Sequence, residues 1–387
     1  MTPIHRPIRR RIALSLALLA LAGCGQASEE PIRIGLAGPL GQANGRSMKL
    51  AAQMAVDEIN AAGGVRGRKL ELVEKDDEAS PDRAIAVAGF LRDSTDVVAV
   101  IGHVNSGATI AAAKIYNEEE GEHGGAPLTQ ISPASSSPQV TDAGRWTFRV
   151  CPSDLLHGPA VATHAFSRLG SRRAAVLYTN DAYGRGVAET FTEAFRKAGG
   201  AVVARDPYLP ALVEDPSAVD PYLVRALRSG MDALMIAGQA DAGMRIVRQA
   251  RRLGYTGPVV GADGMTGVKD AGADAEGIYV SSAFLPDRSS DRAQAFVKTY
   301  RERFDELPDH RGAMAYDAIK LLAEAIERAG TDRRKLRDEV EKVGLSGSGV
   351  AAYEGVSGTI AFDENGDVPG KEVAVGMVRG GQLTTVR

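Results

Sequence analysis

Short, wholly apolar runs recur along this 387-residue chain, separated by amphipathic stretches. That alternation limits the fold more than any other feature. Val97–Ile101 reads VVAVI and Ala233–Ala237 reads ALMIA. A strand that is apolar at every position has both faces covered, as in a parallel sheet packed between helices. Further strands are expected at Ile32–Ala37, Lys69–Glu74, Leu128–Ile131, Ala174–Tyr178, Ala201–Arg205 and Pro258–Gly261. Between them the apolar period changes to that of a helix. Met48–Asn60 sets Met48, Ala51, Ala52, Ala55, Val56 and Ile59 on one face, and Gly63-Gly64 stops it. Other helices are expected at Asp82–Leu91, at Thr109–Tyr116, and near 158–169, 185–198, 217–229 and 241–253. About nine βα units exceed one comfortable sheet, so the expected fold is α/β, with two lobes that each hold a parallel sheet. The length allows two such domains.

The N-terminus reads as an address rather than as part of the fold. Residues 6–11 are Arg-Pro-Ile-Arg-Arg-Arg, and residues 12–22 are apolar except for Ser15. Basic, apolar and small segments in that order mark a secretory signal. The apolar run is too short to cross about 30 Å of hydrocarbon. Leu21-Ala22-Gly23-Cys24 resembles the lipobox of bacterial lipoproteins, which implies cleavage before Cys24 and acylation of that cysteine. A twin-arginine signal at Arg9 to Arg11 is the other reading. Loss of residues 1–23, which carry four Arg and no acid, leaves 364 residues and moves the formal charge from −3 to −7. An acidic chain of this kind does not seek nucleic acid. Cys151 is then the only free thiol, so no internal disulfide is possible and the core must hold the fold.

Several chemistries are excluded by spacing. Gly102–Thr109 (GHVNSGAT) falls one residue short of a phosphate-binding loop, because Ala108 stands where the lysine is required. There is no G-x-G-x-x-G after a strand and no G-x-S-x-G elbow. The six histidines (5, 103, 123, 157, 164, 310) are scattered, with no metal-ligand spacing, and His103 is expected to be satisfied locally. Asp363–Asp367 (DENGD) faintly resembles a calcium loop, but Val368 and Ala374 occupy its sixth and twelfth positions. A tight hairpin turn is the expectation there. Glu118–Gly125 is expected to be an exposed loop. No cofactor, metal or nucleophile–base pair is indicated, so binding without catalysis is expected.

Ligands of open parallel sheets sit beyond the carboxyl ends of the strands. Ser106 follows one such end and opens a helix, whose free N–H groups and hydroxyl suit a carboxylate. Ser135 and Ser136 follow Leu128–Ile131 and precede another helix. Tyr183 and Asp263 follow strand ends in the other lobe. A carboxylate site on one lobe and an acid on the other would suit a zwitterion, its ammonium meeting Asp263. Each residue also has a plain structural reading: Ser106 as a helix cap, Ser135 and Ser136 as turn formers, Tyr183 packed on its own turn, Asp263 as a turn acid.

The segments GLAGPLGQ (35–42), DEINAAGGVRGRKLELVEKDDEASP (57–81), AVIGHVNSGAT (99–109), ISPASSSP (131–138), YTNDAYGRG (178–186), RQARRLGY (248–255) and FDENGD (362–367) point further. Together they resemble the extracytoplasmic substrate-binding proteins of branched-chain amino acid ABC transporters, from about residue 31 to 380. The resemblance implies the type I periplasmic-binding-protein fold: two Rossmann-like lobes joined by a three-strand hinge near 149–153, 283–287 and 369–373. Lobe 1 would hold 31–150 and 286–370, lobe 2 would hold 151–285 and 371–387, and 24–30 would be a tether. It implies an amino acid captured in the cleft and passed to a permease and ATPase complex from a membrane-anchored position. By position, Ser106 and Ser136 match hydroxyls to the α-carboxylate, Ser135 lies in the loop that receives the ligand, Tyr183 is the second-lobe tyrosine, and Asp263 takes the ammonium. The chain departs from relatives at Ala43-Asn44 and at Gly238-Gln239-Ala240-Asp241, where aromatics are common. Asn105 and Ala79 stand where some relatives pair cysteines, and Glu118–Gly125 is longer than usual. A receptor on the same fold, or a binder of amides, urea-like compounds or aromatic acids, is the alternative.

Overall fold

A computed structural model describes residues 30–119, 126–287 and 290–386. The signal and Cys24, and most of the expected loop at Glu118–Gly125, lie outside the described residues. The first stretch of chain builds β1 (Ile32–Gly38), α1 (Ala43–Ala61), β2 (Leu70–Asp76), α2 (Pro81–Asp93), β3 (Val97–Gly102), α3 (Ser106–Tyr116), β4 (Thr129–Ser132) and β5 (Thr147–Arg149). Its five strands pair in parallel in the order β2-β1-β3-β4-β5. The next stretch builds α4 (Asp154–Thr163), β6 (Arg173–Thr179), α5 (Ala182–Lys197), β7 (Ala201–Tyr208), α6 (Asp220–Arg228), β8 (Ala233–Ala237), α7 (Ala240–Arg252), β9 (Val259–Gly261) and β10 (Tyr279–Ser282). The chain then adds α8 (Asp291–Phe304), α9 (His310–Ala329) and α10 (Arg333–Glu341) to the first body. A hairpin of β11 (Tyr353–Gly355) and β12 (Gly358–Ile360) and a second of β13 (Ala374–Arg379) and β14 (Gln382–Thr385) follow. The second sheet runs β14-β13-β10-β9-β8-β6-β7, parallel from β10 to β7, with the β13–β14 hairpin antiparallel at one edge.

Period-two burial explains the apolar runs. Leu234 and Ile236 of β8 pack into the core on one face of the second sheet, while Ala233, Met235 and Ala237 pack into the core on the other. The first sheet behaves alike. Ile32, Ile34 and Leu36 of β1 face α9, whereas Val97 and Val100 of β3 face the side covered by α2 and α3. Ser80 caps α2 through the Arg83 N–H, with Pro81 in the first turn, where no amide bond is lost.

The expectations differ from the fold in informative places. β7 continues through Pro207 to Tyr208 instead of stopping at Arg205; it is an edge strand, where a missing N–H costs no ladder bond. α4 begins at Asp154, four residues before the expected start, because Ser153 caps it and Pro159 is carried inside the helix. Residues 363–367 do turn tightly, Gly366 N–H donating to Asp363 O at 3.1 Å, but no hairpin ladder flanks the turn. β12 pairs back with β11 instead.

Candidate functional site

Five strand-to-helix turns and one helix start converge between the two sheets, around a small cleft. The first sheet contributes the turn after β3. There Val104, Asn105 and Ser106 face the cleft, with Ser106 as the first residue of α3. Ser106 is not the cap; Asn105 holds that position and makes no side-chain cap bond. The Ser106 hydroxyl accepts from the Ser137 N–H at 3.2 Å, which ties the β3 turn to the β4 turn.

The second sheet contributes Tyr183 at the start of α5 and Asp263 just after β9. The Tyr183 hydroxyl donates to Asp263 Oδ1 at 2.9 Å and accepts from the Gly264 N–H at 2.7 Å. A Cβ on Gly264 would come within 2.6 Å of that hydroxyl, so only glycine lets the two segments approach this closely. Burial pushes the Tyr183 phenol well above its ordinary range, so it stays a donor. Asp263 is 3% exposed. Burial opposes its charge, yet His157, His310 and Arg311, with the Tyr183 bond, hold its carboxyl below the ordinary carboxylate range.

α9 supplies the residues that strand-end reasoning missed. His310 and Arg311 open this helix and line the cleft. His310 Nε2 and His157 Nε2 stand 3.8 and 3.9 Å from Asp263 Oδ2, too far to bond it. The hydrogen bonds assign the His310 tautomer. The Thr266 hydroxyl donates to Asp263 O at 2.8 Å, so toward His310 Nδ1, at 3.4 Å, it can only accept. Nδ1 therefore carries the hydrogen and Nε2 is a bare acceptor, buried and without a partner. Burial lowers the His310 pKa to about 4, which keeps the ring neutral at pH 7. Asp263 Oδ2 and His310 Nε2 are spaced so that one nitrogen donor can reach both at roughly 2.9 Å. Together the two atoms can accept hydrogen bonds from one cationic donor.

Other residues stand apart from the expectations. Ser135 is turned away from the cleft: its hydroxyl lies 2.6 Å from Thr109 Oγ1 and donates to Val104 O at 3.0 Å. The Ser135 N–H is also used, on Ser132 Oγ at 3.0 Å. Ser136 is fully buried and does not line the cleft; its side chain lies against Asp154, and its carbonyl accepts from the Asp154 N–H at 2.8 Å. Asp154 is itself fully buried, and burial, with the Asp263 charge, raises its carboxyl well above the usual range. His103 is satisfied locally, 2.5 Å from Asp77 Oδ2 and 3.4 Å from the Tyr116 hydroxyl. The Cys151 thiol is buried and pushed up by that burial, which makes it a poor nucleophile. Among the described residues no group of three His, Cys, Asp or Glu side chains is placed to hold a metal ion. Nor is any described helix long and apolar enough to cross a membrane.

Comparison with known proteins agrees with this architecture. The sequence pattern of a family described as "Periplasmic binding protein" matches residues 31–382. The chain belongs to that family. It is 29% identical over 337 residues to an amino acid binding protein of Pseudomonas aeruginosa, covering 85% of this chain and 87% of that one. It is 27% identical over 371 residues to the Leu/Ile/Val-binding protein of Escherichia coli, covering 94% and 95%. Among solved structures, a leucine binding protein of Thermotoga maritima superposes with a TM-score of 0.81 at 30% identity, covering 92% of this chain and 98% of that one. An ABC transporter substrate-binding protein of Desulfitobacterium hafniense in complex with Leu gives 0.77 at 33% identity, covering 92% and 100%. The fold is thus the type I periplasmic-binding-protein fold.

Proposed function

We propose that this protein captures a free amino acid between its two lobes outside the cytoplasm and delivers it to an ABC importer. The observation that carries the reading is the pairing, in one cleft, of an anion socket and a cation socket. Ser106 and the free N–H groups that open α3 suit the α-carboxylate. Asp263 Oδ2 and His310 Nε2 suit the α-ammonium. The relatives named above bind amino acids, and their likeness supports the same class of ligand here. No bond is made or broken in this reading.

Contacts from both lobes would favour the closed form over the open one. The lobes are 31–150 with 286–370 and 151–285 with 371–387, moving about hinge segments near 149–153, 283–287 and 369–373. The signal at 1–23 directs export, and acylated Cys24 tethers the chain to the membrane. A thermal-shift panel of amino acids on the purified protein tests the ligand class. A true ligand raises the melting temperature, and the rise keeps growing with the logarithm of its concentration above Kd. No shift with any amino acid would sink the reading. Replacing Cys24→Ser should move the protein from the membrane fraction to the soluble one.

A further inference from the structure

We propose that the cleft selects an amino acid whose side chain ends in a neutral hydrogen-bonding group, best a carboxamide, rather than an aliphatic chain. This rests on the amino-acid reading above and deepens it. Once the head group takes Ser106, Tyr183, Asp263 and His310, the side chains left to meet the ligand's own are Val104, Asn105, Ala134, Gln239 and Arg311. Among the described residues Val104 and Ala134 are the aliphatic side chains that line the cleft, beside the Tyr183 ring; no leucine, isoleucine or phenylalanine does. The remaining wall is Asn105, Gln239 and Arg311.

These three are poor company for a methyl group. Asn105 Oδ1 is buried with no hydrogen-bond partner. Arg311 is 5% exposed and donates through Nη1 to Asp309 Oδ2 at 2.9 Å and to Thr266 Oγ1 at 3.3 Å. Its Nε and Nη2 donate to no described residue. An aliphatic side chain would close over these groups and leave them unpaired, which penalises the complex. A carboxamide supplies one acceptor for the guanidinium and two donors for Asn105 Oδ1 and the Gln239 carbonyl oxygen.

Charge separates the carboxamide from the acidic side chain of equal shape. Asp263 and Asp309 are both held below the ordinary carboxylate range, Asp309 at about 2. Among the described residues Arg311 is the one lysine or arginine lining the cleft, and Asp309 already pairs with it. His157 and His310 are held neutral by burial. A zwitterion with a neutral side chain adds no net charge to this closed space, whereas an acidic side chain adds an anion that must share Arg311 with Asp309.

The test is calorimetric titration of the purified protein with glutamine, asparagine, leucine, valine, glutamate and aspartate. Glutamine or asparagine should bind at least roughly tenfold tighter than leucine. In the double variant Asn105→Leu with Gln239→Leu, checked for native circular dichroism, that preference should shrink at least roughly tenfold. Leucine or valine binding as tightly as the amides overturns the inference while leaving the amino-acid reading intact. So does tighter binding of glutamate or aspartate. An unchanged preference in the double variant overturns it as well. Failure of every amino acid to bind overturns the underlying reading instead, and the two failures are told apart.

Discussion

Among the described residues Asp263 has no hydrogen-bond donor on its second carboxylate oxygen; His157 and His310 stand just out of reach. A buried anion so placed gains most from a ligand that brings its own N–H donors. Asp263→Asn keeps the shape and a partner for Tyr183 but removes the charge. The expected loss in ligand affinity is about 2–5 kcal/mol, as for one partner of a desolvated charge pair. Ser106→Ala should cost less, about 1–3 kcal/mol, because one hydroxyl among several donors is removed. Calorimetry finding full affinity in both variants would place the head group elsewhere. The residues of this site were unevenly legible. Ser106, Tyr183 and Asp263 each follow a strand end, and strand ends can be read from apolar runs. His310 and Arg311 arrive at the start of a helix that follows a loop, far from any strand end, so no local pattern marks them. Nor does sequence separate Ser135 from Ser136. The turn sends the first hydroxyl back to Val104 O and sets the second against Asp154, and that depends on backbone direction alone.

Elements distant in the chain are tied together at Arg149, the last residue of β5. Its side chain is fully buried, with Nε 2.7 Å from Asp367 Oδ1 and Nη1 2.7 Å from Ser137 O and 3.1 Å from Ser136 O. Burial works against the cation, and the Asp367 carboxylate more than offsets it, so the Arg149 pKa lies above its ordinary value. The pair therefore links the serine turn beside the cleft to the segment that leads from the first body to β13. The sequence of residues 363–367 announces a turn through its Asp, Asn and Gly content. It cannot announce that Asp367 reaches a residue 218 positions earlier in the chain. Breaking the pair from either side leaves a buried charge alone. Arg149→Met or Asp367→Asn should each lower unfolding stability by about 3–5 kcal/mol, read from urea midpoints at unchanged m-value. The double variant should recover much of that loss. Two single variants with wild-type midpoints would show that the pair contributes nothing.

At the scale of the whole molecule, the closed cleft brings His310 of the first body against Asp263 of the second, so the closed form is sensitive to pH. The groups facing His310 are Asp263, His157, Arg311 and Asp309. Its pKa, lowered to about 4 by burial, lies below the ordinary value of about 6.5. The neutral ring's contribution is therefore fully present above pH 6.5, and it is lost as pH falls from there to 4 and below. His157, also lowered, has the same sign. Asp263 titrates beneath this window, since its carboxyl lies under the ordinary carboxylate range. Asp154 opposes them: its raised carboxyl stabilises the fold on the acid side. The difference between wild type and His310→Gln isolates the histidine. Wild-type affinity for its ligand should fall between pH 7 and pH 4.5, because a proton on Nε2 removes an acceptor and repels the ammonium. His310→Gln should bind more weakly than wild type at pH 7 and lose less on acidification. Small-angle scattering of the liganded protein should show wild type opening at pH 4.5 and the variant changing less. Equal pH slopes for both proteins would remove His310 from the ammonium socket.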